Sequence, residues 1–390
     1  MERVREIFSD TMSIEMHEIN PRDSREKILV SIVIPTYNEA ENIEELLTRI
    51  KRSLERDLGE EKYEIILVDD NSPDGTSEKA INLMKKMNLR GRVIIRKNLR
   101  GLGGAIVTGI RFSSGEYVTV IDADLQHPPE EIIKMLNRAI EGRYDLVIAS
   151  RNVSGGGVEG WSFHRRLISR MAAYTARILI PHVRKIKDPM SGFFLFKREK
   201  VDPEKLKGDG MKVLLEIIVR GDIERIHEYP YIFRRRVRGR SKLGFKEIID
   251  FIRQILRLSE YRLLKFMTVG ASGVLVNNAV LFLLVENGMS RFIASPIAIE
   301  ISTLSNFTLN DLWTFSRDRE GGLIKRLMGY HLAVAVGNTV IYVTFAILSY
   351  YVYYIIANII GIILGFITNY FISSEFVWGL RRYARYIKYI

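Results

Sequence analysis

Four long apolar segments near the C-terminal end limit most strongly what this chain can fold into. The first, at 266–285, has twenty residues and no charge, which is enough for a helix to cross the hydrocarbon core of a bilayer. Three more candidates follow at 292–309, 327–350 and 352–378. We therefore expect an integral membrane protein whose all-α domain of four spans covers residues 263–380.

The four spans also repeat and carry a charge asymmetry. The sequence "SNFTLNDLWTF" at 305–315 resembles "TNYFISSEFVW" at 368–378, and each ends a predicted helical hairpin. Basic residues cluster before the first span, between the second and third, and in a basic tail at 381–390. The positive-inside rule then predicts that both termini and the soluble part are cytosolic. Glu300 and His331 fall inside spans, where polar groups are often functional, but the sequence assigns them no role.

The residues before the spans alternate between apolar strands and amphipathic helices. Five apolar runs have strand length, at 28–35, 63–70, 91–97, 117–124 and 144–150. Continuous apolar strands separated by helices predict a mostly parallel sheet with helices on both faces. The predicted fold class of residues 28–244 is therefore α/β.

Polar side chains follow four of these strands. They lie in "PTYNE", "DDNSPDGT", "DADLQ" and "SR", and ligands of such sheets bind beyond the carboxyl ends of the strands. The oxygens of Asp122, Asp124 and Gln126 suit Mg²⁺ or Mn²⁺. Alternatively, the two aspartates only cap a helix that begins near Pro128. Polar groups at three other strand ends favour the metal site.

The charge distribution indicates an anionic partner. The chain has a net charge of +12 and no cysteine, and a basic excess suits nucleic acid, anionic lipid or a phosphorylated substrate. Two stretches, 160–187 and 231–246, each contain seven Lys or Arg and no acid. Apolar residues interleave with the bases of the first stretch at helical spacing, and 245–262 is also amphipathic, as in helices that lie on a lipid surface. The charged segment 1–27 lacks an apolar run, so we expect a loose extension and no signal peptide.

Several motifs carry a family resemblance. "SIVIPTYNEAENI", "VDDNSPDGT", "DADLQHPPE" and "SRNVSGGGVEGW" resemble the inverting glycosyltransferases with the GT-A fold, and more narrowly the dolichyl-phosphate mannose synthases. The resemblance spans about 28–246 and implies a Rossmann-like GT-A domain that moves mannose from GDP-mannose to dolichyl or another polyprenyl phosphate. The repeated spans resemble the four-span GtrA-type membrane domain. Related processive synthases carry a Q-x-x-R-W motif, which this chain lacks.

The resemblance also implies residue roles. It assigns the guanosine to Pro35, Tyr37, Glu39, Val68 and Asp70. It assigns a Mg²⁺ or Mn²⁺ ion to Asp122, Asp124 and Gln126, with Ala123 also touching the nucleotide. It assigns the acceptor phosphate to Arg151, Arg165 and Ser169. Arg236, in the "RVRGRSK" loop, is expected to close over the donor. Asp124 and the three arginines are thus the expected catalytic residues.

The expected acceptor needs no general base. A phosphate monoester has a second pKa of about 6 and is largely dianionic at pH 7, so the remaining problem is repulsion between two anionic substrates, which a metal ion and arginines reduce. Asp188, the nearest candidate base, is expected to have a structural or acceptor-loop role. Two alternatives stay open: a polyprenyl-phosphate glucosyltransferase that uses a UDP-sugar, and a lipid flippase or transport component with an accessory nucleotide-sugar-binding domain. The metal motif beside phosphate-binding arginines favours catalysis, with no nucleic acid as partner.

Overall fold

The computed structural model of the chain forms two compact units. The first comprises Met1–Leu258 with Tyr386–Ile390, and the second comprises Ser259–Arg385. The residues that the structure describes are 3–9, 12–21, 27–236, 245–380 and 388–389. The loop that follows Arg236, at 237–244, and all of the predicted basic tail except 388–389 therefore lie outside the described residues.

The first unit is built on a large mixed sheet. Its described strands are β1 (Arg3–Ser9), β2 (Met12–Ile19), β3 (Val30–Thr36), β4 (Tyr63–Asp69), β5 (Gly91–Arg96), β6 (Tyr117–Val120), β7 (Leu146–Ser150), β8 (Gly157–Val158), β9 (Phe194–Lys197), β10 (Arg225–Pro230), β11 (Ile232–Phe233) and β12 (Lys388–Tyr389). Ten of them form one sheet in the order β1-β2-β5-β4-β3-β6-β9-β7-β10-β12, and β8 pairs with β11. The strands from β5 to β6 in that order are parallel. Two residues of the predicted tail thus form strand β12 beside β10.

Helices cover both faces of this sheet, as predicted. They are α1 (Ile43–Leu58), α2 (Thr76–Lys86), α3 (Leu102–Arg111), α4 (Glu131–Gly142), α5 (Phe163–Leu179), α6 (Val213–Arg220) and α7 (Phe245–Leu258). Successive strand residues point to opposite faces. Ile32 belongs to the core that contains residues of α1, α2 and α4, whereas Val33 belongs to the core that contains residues of α3, α5, α6 and α7. The predicted α/β fold class is confirmed.

The described residues of the N-terminal segment 1–27 form two strands, in place of the loose extension expected from the sequence. β1 and β2 form an antiparallel hairpin, and β2 extends the sheet by pairing antiparallel with β5. Ile14 and Met16 alternate with charged residues and are buried on one face, the period expected of a half-buried strand. Glu15 between them forms an ion pair with Lys97 at 2.8 Å. Apolar and charged residues alternate over only a few positions here and form no continuous apolar run, so the sequence did not indicate a strand.

Strand β9 is a second departure from a simple parallel sheet. It lies between β6 and β7 and is antiparallel to both. Since two antiparallel pairings restore the original direction, β6 and β7 still run the same way. Their carboxyl ends therefore remain at the same edge of the sheet.

The second unit consists of two helical hairpins. Its helices are α8 (Arg262–Glu286), α9 (Arg291–Leu309), α10 (Leu323–Leu348) and α11 (Tyr354–Ile372), and α9 and α11 continue into π-helical segments, Asn310–Thr314 and Ser373–Val377. Four described helices are long and apolar enough to cross a membrane, namely Arg262–Glu286, Arg291–Thr314, Leu323–Leu348 and Tyr354–Val377. The number of predicted spans is confirmed. Glu260 and Tyr261, between α7 and α8, both have positive φ, which interrupts the helical conformation. The amphipathic helix therefore ends at Leu258 and does not continue to residue 262.

Matching positions of the two hairpins make matching contacts. Gly273 of α8 packs against the Asn306 side chain, and Gly337 of α10 packs against Asn369. Small residues of this kind allow helix backbones to approach closely in lipid. The aromatic residues that end the two repeats, Phe315 and Trp378 of the quoted sequences, stack with ring centroids 4.3 Å apart.

Polar groups within the spans bond to each other. Glu300 Oε1 and His331 Nε2 are 3.0 Å apart, between α9 and α10. Arg326 Nε donates to Asp311 Oδ1 at 2.8 Å, and Trp378 Nε1 donates to the same oxygen at 2.9 Å. Polar side chains inside membrane spans usually pair with one another in this way.

Candidate active site

The predicted site residues meet at the edge where β3, β4, β6 and β7 end. The segment 35–39 begins in the last two residues of β3 and continues beyond it, Asp70 follows β4, the "DADLQ" motif follows β6, and Arg151 follows β7. Parallel strands bring their carboxyl ends together. The remaining predicted residues come from other elements, whose position the local sequence does not determine. They are Arg165 and Ser169 of α5 and Arg236, which follows β11.

A tight turn presents the "DADLQ" side chains. Leu125 has φ 61° and is 1 % exposed, an uncommon conformation for a bulky residue that buried surroundings must hold in place. The turn brings the backbone N–H of Gln126 to Asp124 Oδ1 at 3.1 Å. Stored backbone strain of this kind concentrates at functional sites.

The Asp122 carboxylate forms a hydrogen bond with a histidine. His127 Nε2 lies 3.2 Å from Asp122 Oδ2, and a Cβ added at Gly192 would lie 3.1 Å from that oxygen. Burial acts to raise the pKa of Asp122, but the hydrogen bond with His127 and the charges of Lys212 and Arg236 lower it below its usual value. The carboxylate is therefore kept ionised.

Asp124 and Gln126 both contact a cationic group, the Arg236 guanidinium. Arg236 Nη2 donates to Asp124 Oδ2 at 2.6 Å, and Nε lies 3.4 Å from Gln126 Oε1. Burial and the charge of Asp122 raise the pKa of Asp124, against the effect of His127 and Arg236. These oxygens contact one cation, the Arg236 guanidinium, and carboxylate and amide oxygens are also suitable ligands for a divalent metal ion.

The described residues contain no group of three or more His, Cys, Asp or Glu side chains that could hold a metal. The candidate site instead offers two carboxylates and one amide oxygen. Mg²⁺ is usually bound by one or two carboxylates, and it takes its other ligands from water and substrate phosphates. The donor set is consistent with that pattern.

Arg151 is fixed by Asp188. Its Nε and Nη2 donate to the two carboxylate oxygens at 2.7 and 2.8 Å, and its backbone N–H donates to Asp188 Oδ2 at 2.9 Å. Burial acts to lower the pKa of Arg151, but the bonds to Asp188 outweigh it and raise the pKa. Asp188 is fully buried and its oxygens are occupied by these bonds, which agrees with the structural role expected from the sequence.

Arg165 lies beside Trp161 at the start of α5. Its guanidinium carbon is 4.4 Å from the centroid of the indole ring, and Ser162 caps the helix by accepting from Arg165 N. Burial, followed by the positive charges of Arg236 and Arg151, lowers the pKa of Arg165. Arg151 also lies against the Trp161 ring, at 5.4 Å, so these two guanidinium groups are neighbours that would attract an anion. Ser169 lies one turn further along the helix.

The carboxylates after β4 have different partners. Asp69 accepts from the Thr36 hydroxyl at 2.8 Å and from Ser72 N at 2.8 Å, so it organises the turn. Asp70 accepts from Arg96 Nε at 2.7 Å and from Gly101 N at 2.7 Å. Burial raises the pKa of Asp70 against the effect of Arg96. Its expected role toward guanosine stays a prediction.

Lys212 lies close enough to the site for its charge to lower the pKa of Asp122, and the sequence did not predict it. Its Nζ donates to Met190 O at 3.2 Å. Burial and the charge of Arg151 lower the pKa of Lys212, while Asp122 and Asp188 act in the opposite direction. Lys212 precedes α6 in a short loop that no local motif distinguishes, so only the tertiary structure reveals its position.

Helix α7 holds the backbone of Lys212. Gln254 of α7 accepts from Lys212 N at 3.2 Å and donates to Lys212 O at 3.0 Å. A Cβ added at Gly210 would lie 2.2 Å from the Gln254 side chain, so the loop and the helix pack in close contact. The amphipathic helix is therefore part of the support of this site.

Comparison with known proteins gives two domain matches and clear relatives. Residues 31–203 match the family described as glycosyl transferase family 2, and residues 265–378 match the GtrA/DPMS transmembrane domain. The chain is 43 % identical over 356 residues to a dolichol-phosphate mannosyltransferase of Pyrococcus furiosus, covering 90 % of this chain and 99 % of that relative. It is 34 % identical over 262 residues to a dolichol-phosphate mannosyltransferase of Saccharomyces cerevisiae, and this match covers 65 % of this chain and 91 % of that relative.

A solved structure is also similar to this chain, at lower identity. A mannosyltransferase from Pyrobaculum calidifontis, in complex with GDP-Man and Mn²⁺, is 18 % identical to this chain, with a TM-score of 0.41. The match covers 92 % of this chain and 88 % of that one.

Proposed function

This chain belongs to the dolichol-phosphate mannosyltransferase family, and from that membership we propose that it transfers mannose, with inversion, from GDP-mannose to dolichyl or another polyprenyl phosphate. It is a glycosyltransferase with a membrane domain. The observation that carries the proposal is the meeting of oxygen ligands and three arginines at one sheet edge. Oxygen ligands suit a metal-bound diphosphate, and arginines suit a second phosphate.

The donor would lie across the ends of β3, β4 and β6. Pro35, Tyr37, Glu39, Val68 and Asp70 would bind the guanosine. Asp122, Asp124 and Gln126, with Ala123 beside the nucleotide, would hold Mg²⁺ or Mn²⁺ next to the diphosphate. When bound, the ion supplies a positive charge that stabilises the leaving GDP.

Arg236 would change partners when the donor binds. Its guanidinium contacts Asp124 and Gln126, the same oxygens that are proposed to hold the metal. A metal ion bound to these oxygens would repel the guanidinium at contact distance, because partly buried charges are only weakly screened. Arg236 would therefore leave them and donate instead to the diphosphate.

The acceptor phosphate would lie against Arg151 and Arg165, within reach of Ser169. Asp188 accepts from Nε and Nη2 of Arg151, so the N–H groups of Nη1 and the second N–H of Nη2 would donate to the phosphate. An oxygen of the dianionic phosphate would attack the anomeric carbon of mannose and form the new C–O bond, while the bond to GDP breaks. No proton is transferred from this nucleophile, so no general base is needed.

A lipid-facing surface next to this site supports a lipid acceptor. Helix α5 exposes Phe163 (75 %), Ile168 (63 %) and Met171 (61 %), and α7 exposes Ile248 and Ile252. Apolar side chains among basic residues are typical of helices that lie in an anionic lipid interface. Both termini and this unit would be cytosolic, as the distribution of basic loops suggests.

The proposal is tested with the purified chain, radiolabelled GDP-mannose and polyprenyl phosphate in detergent. Transfer should require Mg²⁺ or Mn²⁺, and Asp124→Asn should lower turnover at least about 100-fold, since one such electrostatic contact is worth that much in catalysis. Asp222→Asn is the matched control, because its side chain is 81 % exposed and pairs only loosely with Lys200, at 3.4 Å. Full turnover in excess chelator would contradict the metal, and transfer from UDP-glucose but not GDP-mannose would contradict the donor.

A further inference from the structure

Two hydrogen bonds connect Tyr231, which follows β10, to Asp122 through His127. The Tyr231 hydroxyl lies 3.0 Å from His127 Nδ1, and His127 Nε2 lies 3.2 Å from Asp122 Oδ2. Tyr231 and His127 are 3 % and 2 % exposed. Neither residue contacts the substrates in the proposed function, so their arrangement needs another explanation.

The chemistry of the three groups determines the direction of these bonds. An ionised carboxylate only accepts, so His127 Nε2 must carry the proton that it shares with Asp122. In the neutral imidazole, Nδ1 is then an acceptor, and it needs a donor. The Tyr231 hydroxyl supplies it, and burial raises the pKa of this phenol, which keeps the hydroxyl protonated. Tyr231 thus selects the tautomer that donates to Asp122.

The chain of bonds is enclosed by aromatic rings. The imidazole of His127 packs against Phe193 and Phe233 with ring centroids 5.3 and 5.1 Å apart. A Cβ at Gly192 would lie 3.1 Å from Asp122 Oδ2 and 3.5 Å from His127 Nε2, so glycine lets the loop close directly over this hydrogen bond. Exclusion of water strengthens a hydrogen bond and preserves its direction.

We infer that His127 and Tyr231 are positioning residues, which orient the Asp122 carboxylate toward a divalent cation through one fixed imidazole tautomer. The inference rests on the proposed metal site. Groups that hydrogen-bond to metal ligands in this way typically change metal affinity 10–100-fold when they are removed. His127 would therefore act on affinity for the ion and not on guanosine recognition.

The test measures Mn²⁺ affinity directly, by electron paramagnetic resonance of free Mn²⁺ with the full chain in detergent and saturating GDP. His127→Phe keeps an aromatic ring in the enclosure but has no donor, and should weaken Mn²⁺ binding by about 10–100-fold. His127→Gln can place an amide N–H where Nε2 was, and should restore most of the affinity. GDP binding without metal, measured by calorimetry, should be unchanged in both variants.

Tyr231→Phe tests the choice of tautomer. It should weaken Mn²⁺ binding when His127 is present, but have no further effect in the His127→Gln background, because an amide donor needs no tautomer to be selected. His227→Phe is the control, because this histidine stacks on Tyr144 and should leave Mn²⁺ affinity unchanged.

Two outcomes would overturn the inference. Native Mn²⁺ affinity in both His127→Phe and Tyr231→Phe would do so, and so would an equal loss in His127→Phe and His127→Gln, since packing alone would then matter. A native chain that binds GDP but no Mn²⁺ would instead refute the proposed metal site, and the positioning role with it.

Discussion

At the scale of single residues, Arg165 can separate phosphate recognition from general attraction to an anionic surface. Its guanidinium carbon lies 4.4 Å from the centroid of the Trp161 ring, a contact with an aromatic face that a planar guanidinium makes better than an ammonium does. Arg165→Lys keeps the charge but should raise the acceptor KM or lower kcat by about tenfold or more, because a hydrogen bond to a charged group is worth about 1.5–3 kcal/mol. The affinity for GDP-mannose should change little. The measurement is steady-state kinetics against polyprenyl phosphate in micelles of fixed composition.

The matched control for that substitution is Arg170→Lys on the same helix. Arg170 is exposed and should tolerate lysine within about twofold, as surface substitutions usually do. Arg177 is less suitable, since its Nε donates to Arg184 O at 2.9 Å. Equal tolerance at 165 and 170 would leave only a diffuse basic surface, and weaker GDP-mannose binding would move Arg165 to the donor side.

At the scale of elements, helix α7 connects an exposed apolar surface to the loop that carries Lys212. Ile248 and Ile252 are about half exposed on this helix, while Gln254 holds the backbone of Lys212 with two hydrogen bonds. Gln254→Ala should lower kcat by about tenfold, since each lost bond is worth about 1 kcal/mol and Lys212 would no longer be held. Arg253→Ala, one residue away and exposed, should retain native kcat. A lower melting temperature of Gln254→Ala with unchanged kcat would show that the contact only stabilises the fold.

At the scale of the whole molecule, the cysteine-free sequence allows its orientation to be measured directly. Ser290→Cys precedes α9 and Ser316→Cys follows the second span, and both serines are exposed. If positive loops stay in the cytosol, an impermeant maleimide added to intact cells should label position 290 but not 316. Permeabilised cells should show both labels, which controls for reactivity. The reverse pattern in intact cells would put the catalytic unit outside.

Some properties of this protein follow from the sequence by itself, because they depend on neighbouring residues only. The four spans were predictable, since a helix crosses lipid whenever about twenty apolar residues follow one another. The strand ends were predictable as well, since apolar runs followed by polar clusters mark them wherever they pair. The "DADLQ" motif therefore indicated a site at a sheet edge without any knowledge of the strand order.

Other properties were decided only by the tertiary structure, because they depend on contacts between distant parts of the chain. The N-terminal hairpin becomes ordered by pairing with β5, a partner that its own charged sequence does not reveal. Arg236 contacts Asp124 over 112 residues, and Tyr231 contacts His127 over 104. Lys212 lies near Asp122 in a loop whose backbone is hydrogen-bonded to Gln254 of α7. Local patterns specify which elements form, but the side chains that meet at the site are selected by how those elements pack.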